Sequence, residues 1–208
     1  MQAFFSFDAE APSFDDRFLL LSRTWLDAGS WVDYVPGWVR GSDALFAQVL
    51  RARKWGQRTR LMYEQRVREP RLTSAWNLRK GALAPAILDR IRLALSARYG
   101  APFDSAGFNF YRDGRDSVAW HGDRIRREIE APVVALVSLG EPRKFLLRPR
   151  GGGPSRALRL GRGDLLVTGG RTQRDWEHCV PKVAQAGPRI SIAYRYGLAI
   201  AAAASDAD

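Results

Sequence analysis

At 208 residues, 46% of them hydrophobic, the chain can bury one substantial core and is too apolar to be a disordered segment. A formal charge of +11 favours acidic partners; 29 of the 33 cations are arginines, which suit phosphate, although a generally basic surface is an equally open reading. The single cysteine, Cys179, excludes an intrachain disulfide, no run approaches the roughly 20 apolar residues of a membrane span, and Met1–Phe5 does not begin like a signal peptide, so a cytoplasmic location is expected.

In chain order, Phe18–Leu21 is an apolar run that suits a strand or a short helix, with loop-like flanks rich in Asp, Ser and Pro. Trp31–Trp38 is aromatic and closes in a Pro-Gly turn. Ser42 is the expected N-cap of a helix to about Arg53, with Leu45, Phe46, Val49 and Leu50 on its apolar side. A second helix is predicted over Pro85–Tyr99, carrying Leu88, Ile91 and Leu95 inward and stopping at Gly100. Between the helices, residues 55–78 are basic and extended, with Arg58, Arg60, Arg66, Arg68 and Arg71 interleaved with Tyr63 and Trp76. Cations with aromatics fit a lid over a nucleotide, where rings stack on bases; a hairpin packing its aromatics on the core is the alternative.

From Gly107 the pattern changes to short strands: 107–111, 117–120, 131–139, 144–148, 157–160, 164–168, 176–180 and 189–196. Asp113-Gly114, residues 150–154 and Gly161-Arg162-Gly163 punctuate them. Eight short strands with regular breaks suggest an antiparallel barrel or a double-sheet jelly roll, in a mainly β protein with N-terminal helices. Residues 199–208 read as a frayed or weakly helical tail, and no internal repeat is visible.

The only two histidines carry the chemistry. His121 and Asp123 form a His-x-Asp pair after a short strand, and alternation puts both on one side. His178 follows in Trp176-Glu177-His178. Two imidazoles and a carboxylate occupy one face of an octahedron and leave positions open, the pattern of non-haem Fe(II) oxygenases. Arg189 and Arg195 then lie on one face of the last strand, where guanidinium groups would bind a dicarboxylate co-substrate.

These segments resemble, in order and spacing, the AlkB-like family of Fe(II)/2-oxoglutarate dioxygenases over roughly residues 105–197. The matching residues are Asn109-Phe110-Tyr111, His121-Gly122-Asp123, Val137–Gly140, Gly163–Val167, Trp176-Glu177-His178 and Pro188–Arg195, with Glu69–Trp76 upstream. The resemblance implies a double-stranded β-helix (jelly-roll) core over residues 105–198, preceded by a 1–104 extension that holds a nucleotide-recognition lid at about 55–78. It implies Fe(II) on His121, Asp123 and His178, with Asn109, Tyr111, Arg189, Ser191 and Arg195 around 2-oxoglutarate. O2 would be consumed, 2-oxoglutarate would leave as succinate and CO2, and a hydroxylated N-methyl group would collapse to formaldehyde and amine. Tyr63, Arg71, Trp76, Arg124, Ile125 and Trp176 are the candidate substrate contacts.

The chain departs from the family at three positions. Ile125 replaces the acidic residue that many nucleic-acid-repairing members carry two positions after the metal aspartate, and Ser191 and Ala193 stand where asparagine and threonine are common. The expected activity is oxidative demethylation of N-alkylated nucleobases in DNA, by a monomer with no membrane association. The alternatives are the same iron chemistry on RNA, protein or a small molecule, and a catalytically inactive nucleic-acid-binding jelly roll.

Overall fold

Runs of β-branched and aromatic residues broken by glycine turns fold as strands. The computed structural model describes residues 10–62 and 65–197, with backbone only at 60–62 and 65–66. Strands β1 (Ser13–Phe14), β2 (Ser22–Trp25), β3 (Ser30–Val35) and β4 (Val39–Arg40) precede helix α1 (Ser42–Ala52). The hairpin β5 (Thr59–Met62) and β6 (Gln65–Arg68) leads to β7 (Leu72–Asn77), a tight helical turn and α2 (Ile87–Tyr99). Then follow β8 (Ser105–Tyr111), β9 (Val118–His121), β10 (Val134–Gly140), β11 (Arg143–Pro149) and β12 (Arg156–Leu160). The series ends with β13 (Asp164–Gly170), α3 (Thr172–Asp175), β14 (Trp176–Val180) and β15 (Arg189–Arg195).

Strands β8 to β15 divide between two antiparallel sheets, changing sheet at every step except the β11–β12 hairpin. The order β13-β10-β15-β8 forms the centre of a seven-stranded sheet, and β12-β11-β14-β9 forms a four-stranded one. That interleaving is a double-stranded β-helix, or jelly roll. The larger sheet is extended by β3 and β2 on one side and by β7 on the other, so the first 104 residues supply three of its strands.

Two apolar clusters follow from strand alternation. On β15, Ile190, Ile192 and Tyr194 face the helices, where Leu45 and Val49 of α1 and Leu88, Ile91 and Leu95 of α2 close a core. Truncating one such side chain to Ala costs about 2–5 kcal/mol. The second cluster includes Tyr111, Phe145, Leu147, Leu166, Trp176 and Val180 and lies between the sheets.

Local details differ from the sequence reading. Gly41, not Ser42, precedes the first turn of α1; its φ is 59°, and a Cβ there would meet the Glu10 carbonyl oxygen at 2.3 Å. Helix α2 starts at Ile87, two residues after Pro85, and stops at Gly100, whose φ of 60° is the left-handed cap expected there. β10 starts at Val134 rather than 131, because Pro132 has no N–H for a ladder. The tail 199–208 lies outside the described residues.

Candidate active site

Both histidines stand at strand positions facing the space between the sheets. His121 ends β9 opposite His178 of β14, and the two rings lie 4.3 Å apart. The Gly122 turn brings Asp123 back, and ligand atoms of His121, Asp123 and His178 all lie within 4.8 Å of one another. Their donor chemistry fits Fe(II). His121 donates its Nδ1–H to the Ala119 carbonyl at 2.9 Å, which leaves Nε2 as the ligand atom. Burial, with His121 adding to it, lowers the His178 pKa to about 3, so that imidazole is neutral. Phe145 stacks on the His178 ring at 5.0 Å. Burial opposes the Asp123 charge, but Arg195 and the two histidines hold its pKa below the ordinary carboxylate value.

Arg195 reaches Asp123 Oδ1 through Nε at 2.9 Å and through Nη2 at 2.7 Å. Arg189 and Arg195 are six residues apart on one strand face, about 20 Å at full extension, so one must lean inward to share a site. Arg195 does so across Gly107, where a Cβ would lie 2.7 Å from its Nη1. That close approach explains a glycine inside β8.

Arg189 lies deeper, at 1% exposure. Its Nη2 donates to Ser138 Oγ at 2.6 Å and its Nε to the Leu160 carbonyl, while Nη1 has no partner among the described residues. Burial lowers its pKa, with Tyr111 working in the other direction. Tyr111 is itself buried, which raises its pKa, and the Arg189 guanidinium lies 5.3 Å from its ring centre. A buried guanidinium with an unmet N–H and no bonded carboxylate is a receptor for a carboxylate. Asn109, Ser191 and Ser138 line up in register across β8, β15 and β10 beside it.

The candidate substrate contacts divide. Arg124 is exposed, as are Arg126 and Arg127, and no ion pair joins them to Glu128 or Glu130. Arg71 is not a free cation. It pairs with Glu69 at 3.0 Å and donates to Asn109 Oδ1 at 2.9 Å, so it braces the Asn109 side chain. Trp76 is corrected outright: it is 5% exposed, belongs to the helix-side core and donates its indole N–H to the Gly81 carbonyl. Ile125 is also buried, at 4%, and so presents almost no surface to a base. Trp176 shares the inward face of His178, but it is 6% exposed with its N–H held by Asp27 at 2.6 Å, so no ring face is open for stacking. Trp120, which strand alternation turns away from His121, is half-buried on the outer face of the smaller sheet, under the Arg148 guanidinium at 4.0 Å. Tyr63 lies outside the described residues, as do the side chains of Arg60 and Arg66.

Several further residues position the site. Gln173 accepts the Asp123 N–H at 3.1 Å and donates to Thr168 Oγ1 at 2.8 Å. Arg174 donates to the carbonyls of Ile125, Arg126 and Ile129, clasping the loop after Asp123. Arg143, 2% exposed, ties the carbonyls of Asp113 and Asp116 to that of Pro181. From the sequence, the polar run Arg171–Arg174 directly before the strand of His178 is expected to border the same cavity, whereas nothing in the local pattern singles out Arg143.

Comparison with known proteins agrees with this geometry. The 2OG-Fe(II) oxygenase superfamily profile matches residues 47–195. The chain is 31% identical over 183 residues to "Alpha-ketoglutarate-dependent dioxygenase alkB homolog 3" of Bos taurus, a match covering 77% of this chain and 64% of that protein. It is 36% identical over 133 residues to "DNA oxidative demethylase ALKBH2" of Arabidopsis thaliana, covering 52% of this chain and 41% of that one. The chain thus spans less than two thirds of the length of these relatives. Among solved structures, that of OsALKBH1 superposes with a TM-score of 0.59 at 16% identity, over 84% of this chain and 99% of its own, a likeness of fold.

Proposed function

Because this chain belongs to the 2OG-Fe(II) oxygenase superfamily, in its AlkB-like branch, we propose that it is a 2-oxoglutarate-dependent dioxygenase that demethylates N-alkylated nucleobases, in DNA first. The observation that carries the reading is the convergence of His121, Asp123 and His178 within 4.8 Å, beside a buried arginine with an unmet N–H. Fe(II), bound with 2-oxoglutarate and O2, supplies the oxidation of an N-methyl C–H bond, with succinate and CO2 as co-products.

The chain's own residues bind, orient and exclude water. His121 Nε2, His178 and Asp123 would hold the metal. Arg189, Ser138 and Tyr111 would hold the distal carboxylate of 2-oxoglutarate, with Asn109 and Ser191 alongside. Arg195 holds Asp123 Oδ1 and favours its ionised form, which would leave Oδ2 available as the ligand atom. Phe145, Leu147 and Trp176 keep the inter-sheet space dry. The hydroxymethyl product sheds formaldehyde without a protein base, so a site with no further histidine is sufficient.

The name of the Arabidopsis relative supports DNA as substrate, as do the exposed Arg124, Arg126 and Arg127 next to the site. Oligonucleotides carrying 1-methyladenine or 3-methylcytosine should lose one methyl group by mass spectrometry, with succinate and formaldehyde formed in step. Asp123→Ala should abolish both products. Succinate formed while every methylated base stays intact would sink the nucleobase reading and leave the oxygenase.

A further inference from the structure

β7 is the last strand of the larger sheet, and among the described residues its outer edge is met only by the Gly56–Thr73 bridge. Beyond that edge lies an open cleft of about 530 Å³, with walls from the end of α1, the connection into the lid hairpin, and β7 itself. Four cations line it, Arg53, Lys54, Arg58 and Lys80, and among the described residues its lining holds no carboxylate and no aromatic ring. Lys54, Arg58 and Lys80 are exposed, and none of the three makes an ion pair among the described residues. Cations after a helix C-terminus are explained by its dipole alone, which accounts for Arg53 and Lys54. It does not account for Arg58 and Lys80, which come from other segments to the same cleft. Arg53 lies over the Phe108 ring at 4.7 Å, and its buried Nε has no partner among the described residues.

We infer that this cleft carries the sugar-phosphate backbone of the strand whose base enters the iron site. The inference rests on the nucleic-acid reading above and adds a path for the strand. Charge without carboxylates matches a polyanion. Among the described residues the lining offers cations and small polar groups but no ring for base stacking, which suits contacts to phosphate and sugar that do not read sequence. Continuity supports the same substrate: Thr73, in the cleft wall, pairs in register with Asn109, and Arg71, two residues upstream, bonds the Asn109 side chain. Cleft and site are thus one strand apart, about 4.8 Å, across the base of the lid.

The test is a Lys54→Glu/Arg58→Glu/Lys80→Glu variant of the full chain, its fold checked by circular dichroism and melting. Wild type and variant are compared on a methylated mononucleotide and on a methylated 15-mer across a salt series. Mononucleotide turnover should match wild type, while 15-mer affinity falls at least tenfold. Its log–log salt dependence should flatten by about 2, at about 0.7 per phosphate contact for a single strand. Equal affinity and equal slope in both proteins would overturn the cleft and leave the demethylase reading standing. An equal fall on the mononucleotide would place the cations in the catalytic pocket and also overturn it. A wild type that binds no oligonucleotide, methylated or not, would remove both readings.

Discussion

Arg189 carries its charge at 1% exposure, with hydrogen bonds to a serine hydroxyl and a backbone carbonyl and with no carboxylate bonded to it among the described residues. Such an arrangement contributes little to stability and is explained by a ligand that supplies the missing charge. Arg189→Met should therefore leave the melting temperature near that of the wild type or above it. It should raise the KM for 2-oxoglutarate roughly 10- to 150-fold, the equivalent of about 1.5–3 kcal/mol for a hydrogen bond to a charged group. Titrating succinate formation against 2-oxoglutarate measures this, and an unchanged KM would remove the arginine from the co-substrate site. Part of this was legible in the residues themselves: two arginines at strand spacing after a histidine suit a dicarboxylate. That Arg195 would turn back to Asp123 was not, because it depends on Gly107 of the neighbouring strand.

Helix α3 is one turn long, yet it sets the iron-binding loop. Its Gln173 accepts the Asp123 N–H, and its Arg174 takes three carbonyls between Ile125 and Ile129. Groups that orient metal ligands without touching the metal typically change affinity 10- to 100-fold. Arg174→Ala should weaken Mn(II) binding within that range while circular dichroism stays unchanged; wild-type affinity would show that the loop holds itself. Element positions along the chain were readable because alternation and glycine punctuation are local signals, and each of the eight core strands answers to a run in the sequence. The ends were less readable. Ser42 has the chemistry of an N-cap, but the tight approach of Glu10 admits only glycine at the position before it. Trp76 sits among arginines in sequence and faces the α2 core in space, since β7 turns that side toward Arg92 and Leu88.

At the scale of the whole molecule, the metal ligands come from β9, the loop after it and β14, neighbouring strands of the smaller sheet, while Arg195, which holds Asp123, comes from β15 of the larger one, so the complete site exists only in the folded chain. Ligands that bind the folded state alone raise its stability by mass action, about 2.7 kcal/mol at a hundred times Kd. Mn(II) with 2-oxoglutarate should therefore raise the melting temperature by roughly 5–10 °C for a chain of this length. Asp123→Ala should show no such shift. An equal rise in that variant would mean that the ions act elsewhere on the protein.

The sequence by itself determined the donor set and the order of the strands. His121, Asp123, His178 and the two arginines are chemically distinctive, and strand alternation is a property of neighbouring residues. Only the tertiary structure decided which aromatic rings and arginines face a ligand. Trp76 and Trp176 proved buried, Arg71 is engaged by Glu69 and Asn109, and Arg53, Lys54, Arg58 and Lys80 gather at one edge. The physical reason is that burial and pairing are set by partners far away in the chain. Arg174 reaches Ile125 across 49 residues and Arg195 reaches Asp123 across 72, and no local pattern encodes such distances.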